Sequence, residues 1–311
     1  MLLATPTVLA ATADVPWWAA WEADWSAIMA MLGIGALYLR GELQRRRQTG
    51  QARPGRVAAF ATGWAVALLA LVSPVAGLSG ELLWVHMIQH LLLIIVAAPL
   101  LALGAPQAAI RRAVGPGARG ALSRGIRRIS LRRTTWAPPT IVIAAATHAA
   151  SFWVWHAPGL YDLAVENAAV HLLEHAFFLG SGVWFWMAVV AATRRGRRQH
   201  GLATLCLGGL IAQGGVLGAL LTFTSQSVYD VYDGARGFTA LQDQELAGAI
   251  MWVPPGFVYA TVGIALFIRW FGLVEREARQ REARQREARQ ATAGEARDRR
   301  RGADERAAGG R

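Results

Sequence analysis

Seven histidines occur in the 311-residue chain. Six of them, His86, His90, His148, His156, His171 and His175, lie in or at the ends of apolar runs, and His200 falls in a basic connection. An imidazole in a hydrocarbon layer is costly and normally faces the interior of a helix bundle. The spacing adds chemistry. His86 and His90 are four residues apart, as are His171 and His175, so on helices each pair stacks on one face, one turn apart. That is a standard chelating geometry for a transition metal. His148 and His156, eight apart, fall broadly on one side of a helix. Met87 and Met251 offer thioethers suited to Cu(I). Glu174 and Glu81 offer carboxylates that can fix an imidazole tautomer or take a ligand position. Any one of these histidines alone reads as an interhelical hydrogen-bonding residue; six together read as a metal or haem site. Imidazoles facing each other from different helices can also ligate haem axially. The single cysteine, Cys206, permits no internal disulfide and no CxxC pair, so a metal must be held by His, Met or carboxylate.

The elements that position these residues follow from composition. The chain is 54% hydrophobic and 17% charged, where soluble domains carry about 25% charged residues. Apolar runs of about 17–25 residues separate the charges, enough to cross a ~30 Å hydrocarbon core as helix. The expected spans are Trp21 to Leu39, Val57 to Gly77, Leu82 to Leu103, Trp136 to Trp155, Ala168 to Ala192, Leu202 to Phe223 and Ala247 to Phe271. The expectation is an all-α, polytopic membrane bundle of seven transmembrane helices over residues 21–273. An exported tail (residues 1–20) precedes it and an Arg/Glu-rich cytoplasmic tail (274–311) follows. Met1 to Ala13 lacks the basic start of a signal peptide. Gly208, Gly209, Gly214, Gly215 and Gly218 suit the sixth span to close helix packing.

Arginine asymmetry sets the orientation. The net charge of +12 comes from 32 basic residues, all arginine. They fall in alternate connections: Arg40 to Arg56, Arg111 to Arg133 and Arg194 to Arg198, whereas 78–81 and 157–167 carry none. The N-terminus is therefore expected outside and the C-terminus inside. The positive charge is a topology signal that favours anionic lipid, and it does not imply nucleic-acid binding. Trp17, Trp18, Trp21 and Trp25 read as an outer aromatic belt, with Trp153, Trp155 and Trp252 at the same level. Leu122, Ile126, Ile129 and Leu131 give the 111–133 connection a secondary reading as an interfacial helix. In the tail, Arg-Glu-Ala-Arg-Gln repeats three times from Arg276 to Gln290; the repeat reads as a solvated helical extension fraying beyond Thr292. Counting residues from the span ends places His90, His148 and His175 at one depth, ~10–12 Å below the outer edge, with His86, His156 and His171 above them.

Several stretches together resemble the CtaG-like family of cytochrome c oxidase assembly factors. They are Tyr38-Leu39-Arg40-Gly41, Leu71 to Pro74, His86-Met87-Ile88-Gln89-His90 and Ala97 to Pro106. Further matches are Phe152 to Pro158, Tyr161-Asp162, His171-Leu172-Leu173-Glu174-His175 and Asp243 to Trp252. The resemblance implies a seven-helix protein of the bacterial cell (inner) membrane. Its role would be non-enzymatic: maturing a haem–copper oxidase by delivering or inserting copper on the outer side, with oxidase subunits as partners. The alternative kept open is a membrane haem protein that moves electrons through bis-histidine-ligated haem.

Overall fold

The computed structural model describes residues 16–21, 25–115, 117, 120, 140–194 and 197–308. Among them there are helices and no strand. In chain order these are α1 (Trp25–Thr49), α2 (Pro54–Val72), α3 (Pro74–Ser79), α4 (Leu83–Leu103), α5 (Pro106–Ala113), α6 (Thr140–Trp155), α7 (Pro158–Glu166), α8 (Ala168–Ala192), α9 (Arg197–Phe223) and α10 (Ala240–Ala308). Six of the described helices, α1, α2, α4, α8, α9 and α10, are long and apolar enough to cross a membrane. The described part of the fourth expected span, α6, is apolar but shorter. Trp136, the proposed interfacial helix with Leu122, Ile126, Ile129 and Leu131, and residues 1–13 lie outside the described residues.

Where helix ends differ from expectation, local chemistry explains it. Helix α1 continues past Leu39 to Thr49 because its charges are satisfied along its own surface. Buried Arg45 is paired with Glu42 and donates to the Thr49 hydroxyl and the Gln51 carbonyl. The second span breaks at Ser73 instead of running to Gly77. The residue before a proline is pushed out of the helical region, and Ser73 sits at ψ 177. Its side chain then accepts from the Val75 N–H, and Pro74 opens α3. Helix α10 runs unbroken through the repeats to Ala308, well beyond Thr292, and includes an i,i+4 ion pair of Glu275 with Arg279.

Helix α4 is the central element, buried over most of its length. Immediately below its histidines, Leu92–Ala97 form a π-helical turn in which the Ala98 N–H bonds to the Leu93 carbonyl. Pro99 causes this. Continuing the pattern would require a Pro99 N–H directed at the Ile94 carbonyl, and proline has none. The Trp186 indole of α8 donates to that carbonyl at 3.2 Å, a repair that hydrocarbon surroundings make necessary. Glycine packing is narrower than expected. Gly218 of α9 lies so close to α10 that an added Cβ would sit 2.5 Å from Trp252, while Cβ atoms on Gly208, Gly209, Gly214 or Gly215 would meet nothing. Trp17, Trp18, Trp21 and Trp25 are exposed as a belt requires, but Trp155 is buried in the apolar core.

The Trp186 contact yields a stability prediction. Trp186→Phe leaves a buried carbonyl unpartnered and should cost about 1–2 kcal/mol. It should lower the thermal unfolding midpoint in mild detergent, whereas Trp184→Phe, at a neighbouring half-buried position, should not.

Candidate metal centre

Two helices supply the centre. Helix α8 is started by Asn167, whose side chain accepts from the N–H groups of Ala169 and Val170 at 3.0 and 3.2 Å. That start puts His171, Glu174 and His175 on one face in the first two turns. Helix α4 has no side-chain cap of its own at Leu82. Its cap comes from α10: the Asp243 carboxylate accepts from the N–H groups of Leu83 and Trp84, both at 2.8 Å. A carboxylate at a helix N-terminus satisfies orphan donors and meets the favourable end of the helix dipole. Asp243 is fully buried. It lies in the first turn of α10 but caps a different helix.

The facing surfaces bring four imidazoles together. His86, His90, His171 and His175 each offer a ring nitrogen, and these four atoms lie within 4.8 Å of one another. Nε2 of His86 is 2.9 Å from Nε2 of His90. Ring centroids are 5.0 Å apart for His86 and His171, 4.2 Å for His171 and His175, and 5.4 Å for His90 and His175. Four nitrogens bound tetrahedrally at ~2.0–2.1 Å are about 3.3 Å from one another, so modest side-chain movement would close the set around an ion. One Glu174 oxygen is 3.8 Å from His86 Nε2 and 3.7 Å from His90 Nε2. Both Glu174 oxygens, His90 Nδ1 and His175 Nε2 are buried without a hydrogen-bond partner. Buried polar atoms are otherwise almost always paired. Their concentration at one place fits a cationic ligand held by neutral imidazoles and a carboxylate.

Two hydroxyls orient His86. Its Nδ1 lies 3.0 Å from the hydroxyls of both Tyr232 and Tyr161. The Tyr232 hydroxyl donates to the Ser79 carbonyl at 2.8 Å, so it presents a lone pair to His86. A proton on Nδ1 meets that lone pair and leaves Nε2 to face the cluster, which is the tautomer a metal bound at Nε2 requires. Burial pushes both phenols well above their ordinary range, so they stay protonated. In the sequence Tyr161 stands out only through the Tyr161-Asp162 match, and nothing local marks Tyr232 as a partner of His86. The connection that carries Tyr232 is tied down by Gln244, which accepts from the Val228 N–H and donates to the carbonyls of Leu221 and Gln226.

The other expected site residues lie elsewhere. His148 is not at the level of His90 and His175. It bonds Ser181 at 2.8 Å and Tyr259 at 3.4 Å and stacks on Phe185. Ser181 is six residues beyond His175, ~9 Å deeper along α8. His156 is not at the surface but buried 6.5 Å, centroid to centroid, from His90. Its Nδ1 donates to the Phe152 carbonyl at 2.8 Å, leaving Nε2 buried without a partner. Both displacements have one cause: α7 and the 224–239 connection pack over the end of α6, so the end of the apolar run is not the outer surface. Met87 and Met251 are packed in the apolar core with Leu83, Phe152 and Trp155. Glu81 pairs with Arg236 at 2.7 Å instead of serving a histidine.

A cavity of about 580 Å³ reaches the cluster. His86, Gln89, His171 and His175 line its inner part, and exposed Trp25, Glu166 and Ala168 line its mouth.

The family model for the cytochrome c oxidase caa3 assembly factor (Caa3_CtaG) matches residues 36–272, which include every residue of this centre. The chain belongs to that family. No curated protein and no solved structure gives a significant match. Within the family match, Asp243 is the long-range support of the centre. Asp243→Ala exposes two buried N–H groups and should cost about 1–3 kcal/mol, read as a lower unfolding midpoint in detergent. Asp243→Asn, which keeps one acceptor, should recover part of the loss.

Proposed function

We propose that this assembly factor holds a copper ion between α4 and α8 and passes it to a haem–copper cytochrome c oxidase during assembly. The observation that carries the reading is the convergence of His86, His90, His171 and His175 with Glu174 behind them. Imidazole suits copper among other late transition metals, and the family role supplies the need for one. Copper is cargo here, and the protein acts without catalysis. The neutral donors and the Tyr161–Tyr232 contact to His86 would orient the imidazoles. His156, with a fixed tautomer and a bare Nε2 beside the cluster, is a candidate for a fifth ligand or a transfer step. His148, Met87 and Met251 are not needed.

The arginine pattern supports seven crossings in the cell membrane, with α6 completed by the preceding residues. The same pattern favours the N-terminus outside and the C-terminus in the cytoplasm. In that orientation the cavity mouth faces the compartment where exported copper and the oxidase copper sites meet. The haem alternative fits less well. Four ring nitrogens within 4.8 Å of one another leave no room for a macrocycle between opposed imidazoles, whereas bis-histidine haem requires its ring to lie between the two ligands.

Protein purified in mild detergent and loaded with Cu(I) should retain about one equivalent and show no Soret band. His86→Ala with His90→Ala should lower the retained copper by at least tenfold. Tyr161→Phe with Tyr232→Phe should lower affinity by about 10–100-fold, the usual cost of losing an outer-shell partner. In cells lacking the protein, the oxidase should contain less copper; a full complement would remove the proposal.

A further inference from the structure

The inner ends of α8 and α10 carry a second hollow that the copper reading does not use. It has a volume of about 470 Å³ and lies between Thr193 and Arg194 at the end of α8, His200 in the first turn of α9, and Arg269 and Arg276 on α10. Arg194 stands 23 positions beyond His171 on a nearly continuous helix, so the hollow is ~35 Å from the histidine cluster. We propose that this hollow binds the phosphate headgroup of an anionic phospholipid of the leaflet it faces.

Three features support this ligand. The lining contains three guanidinium groups and one imidazole and no carboxylate. Among the described residues no acid is paired with Arg194, Arg269 or Arg276, and the neighbouring Glu275 is turned to Arg279. Guanidinium groups suit phosphate through bidentate hydrogen bonds. His200 differs from the surface arginines: it is 2% exposed, so the hollow has a buried polar wall beneath its charged rim. Apart from Thr193, the remaining lining is apolar. Ile268, 64% exposed, and Leu273 stand on the helix that continues into the hydrocarbon layer. A cationic floor beside a lipid-facing apolar lip matches an amphiphile better than a free ion. Basic hollows between helices on the cytoplasmic side have this chemistry. A diffuse attraction between arginine-rich connections and anionic lipid would need no such hollow.

The test uses the full chain in nanodiscs of phosphatidylcholine, titrated with phosphatidylglycerol and read by native mass spectrometry. The wild type should retain phosphatidylglycerol. The variant R194Q/R269Q/R276Q should bind it more weakly by about fivefold per guanidinium removed, the factor for a basic residue beside an anionic surface. The variant R284Q/R286Q/R289Q removes equal charge from the tail and should retain the lipid. Circular dichroism and a single monodisperse peak verify that both variants fold. Equal loss in the two variants would overturn the proposal, because net charge and not the hollow would then govern binding. Displacement of the lipid by millimolar inorganic phosphate would also overturn it, since the site would then be one for a free anion. The metal site plays no part in these readouts, so copper retention and lipid retention fail independently.

Discussion

The first N–H groups of α4 are satisfied by Asp243, a carboxylate 160 residues later in the chain. Everything at the histidine centre depends on that contact. His86 and His90 lie in the first two turns of α4, so a fraying start would release both. A local cap such as Ser or Asn would have held the helix but left its direction free. A cap borrowed from α10 fixes α4 against a second element. The adjacent Gln244 does the same for the connection that carries Tyr229 and Tyr232. Two consecutive side chains thereby set the height of the imidazoles and the position of the hydroxyls above them.

At the other end of the histidine segment the constraint is reversed. The π turn at Leu92–Ala97 widens α4 and leaves the Ile94 carbonyl for Trp186. Helix α8 therefore touches α4 at two levels: through His171, Glu174 and His175 above and through Trp186 below. The close approach at Gly182, where an added Cβ would sit 3.2 Å from Ala98, lies between them. Holding two helices at several heights makes a site on rigid elements, which is what a fixed ligand set requires.

The parts legible in the sequence were those governed by local periodicity. The i,i+4 spacing of His86 with His90 and of His171 with His175 placed each pair on a face. The apolar runs located the helices to within a turn at most ends. Depth failed for His148 and His156 because it was measured from the end of an apolar run, and the covering of that end by α7 is a tertiary fact. The roles of Tyr161, Tyr232 and Asp243 were illegible for the same reason. Each acts across a long sequence separation, and nothing in its own neighbourhood marks its partner. Hydropathy also understated α1 and α10, since a charged residue paired along its own helix does not end that helix.

The two ends of the bundle differ in electrostatics, as the proposed copper and lipid sites would require. A metal-binding end needs donors with free lone pairs. Cationic side chains there would compete with the ion for Glu174 and repel it. Arg236, the basic residue of the 224–239 connection, is accordingly neutralised by Glu81 at 2.7 Å. The opposite end carries the arginines of the proposed lipid hollow, and among the described residues no acid is paired with Arg194, Arg269 or Arg276. Roughly 35 Å separates the ends, and the exposed arginines are screened by water and counter-ions where they meet solvent, not across the apolar interior. Charge at the basic end therefore adds little to the field at the histidines. The segregation lets one bundle carry +12 overall and still offer a cation a site whose immediate surroundings are neutral imidazoles and one buried carboxyl group.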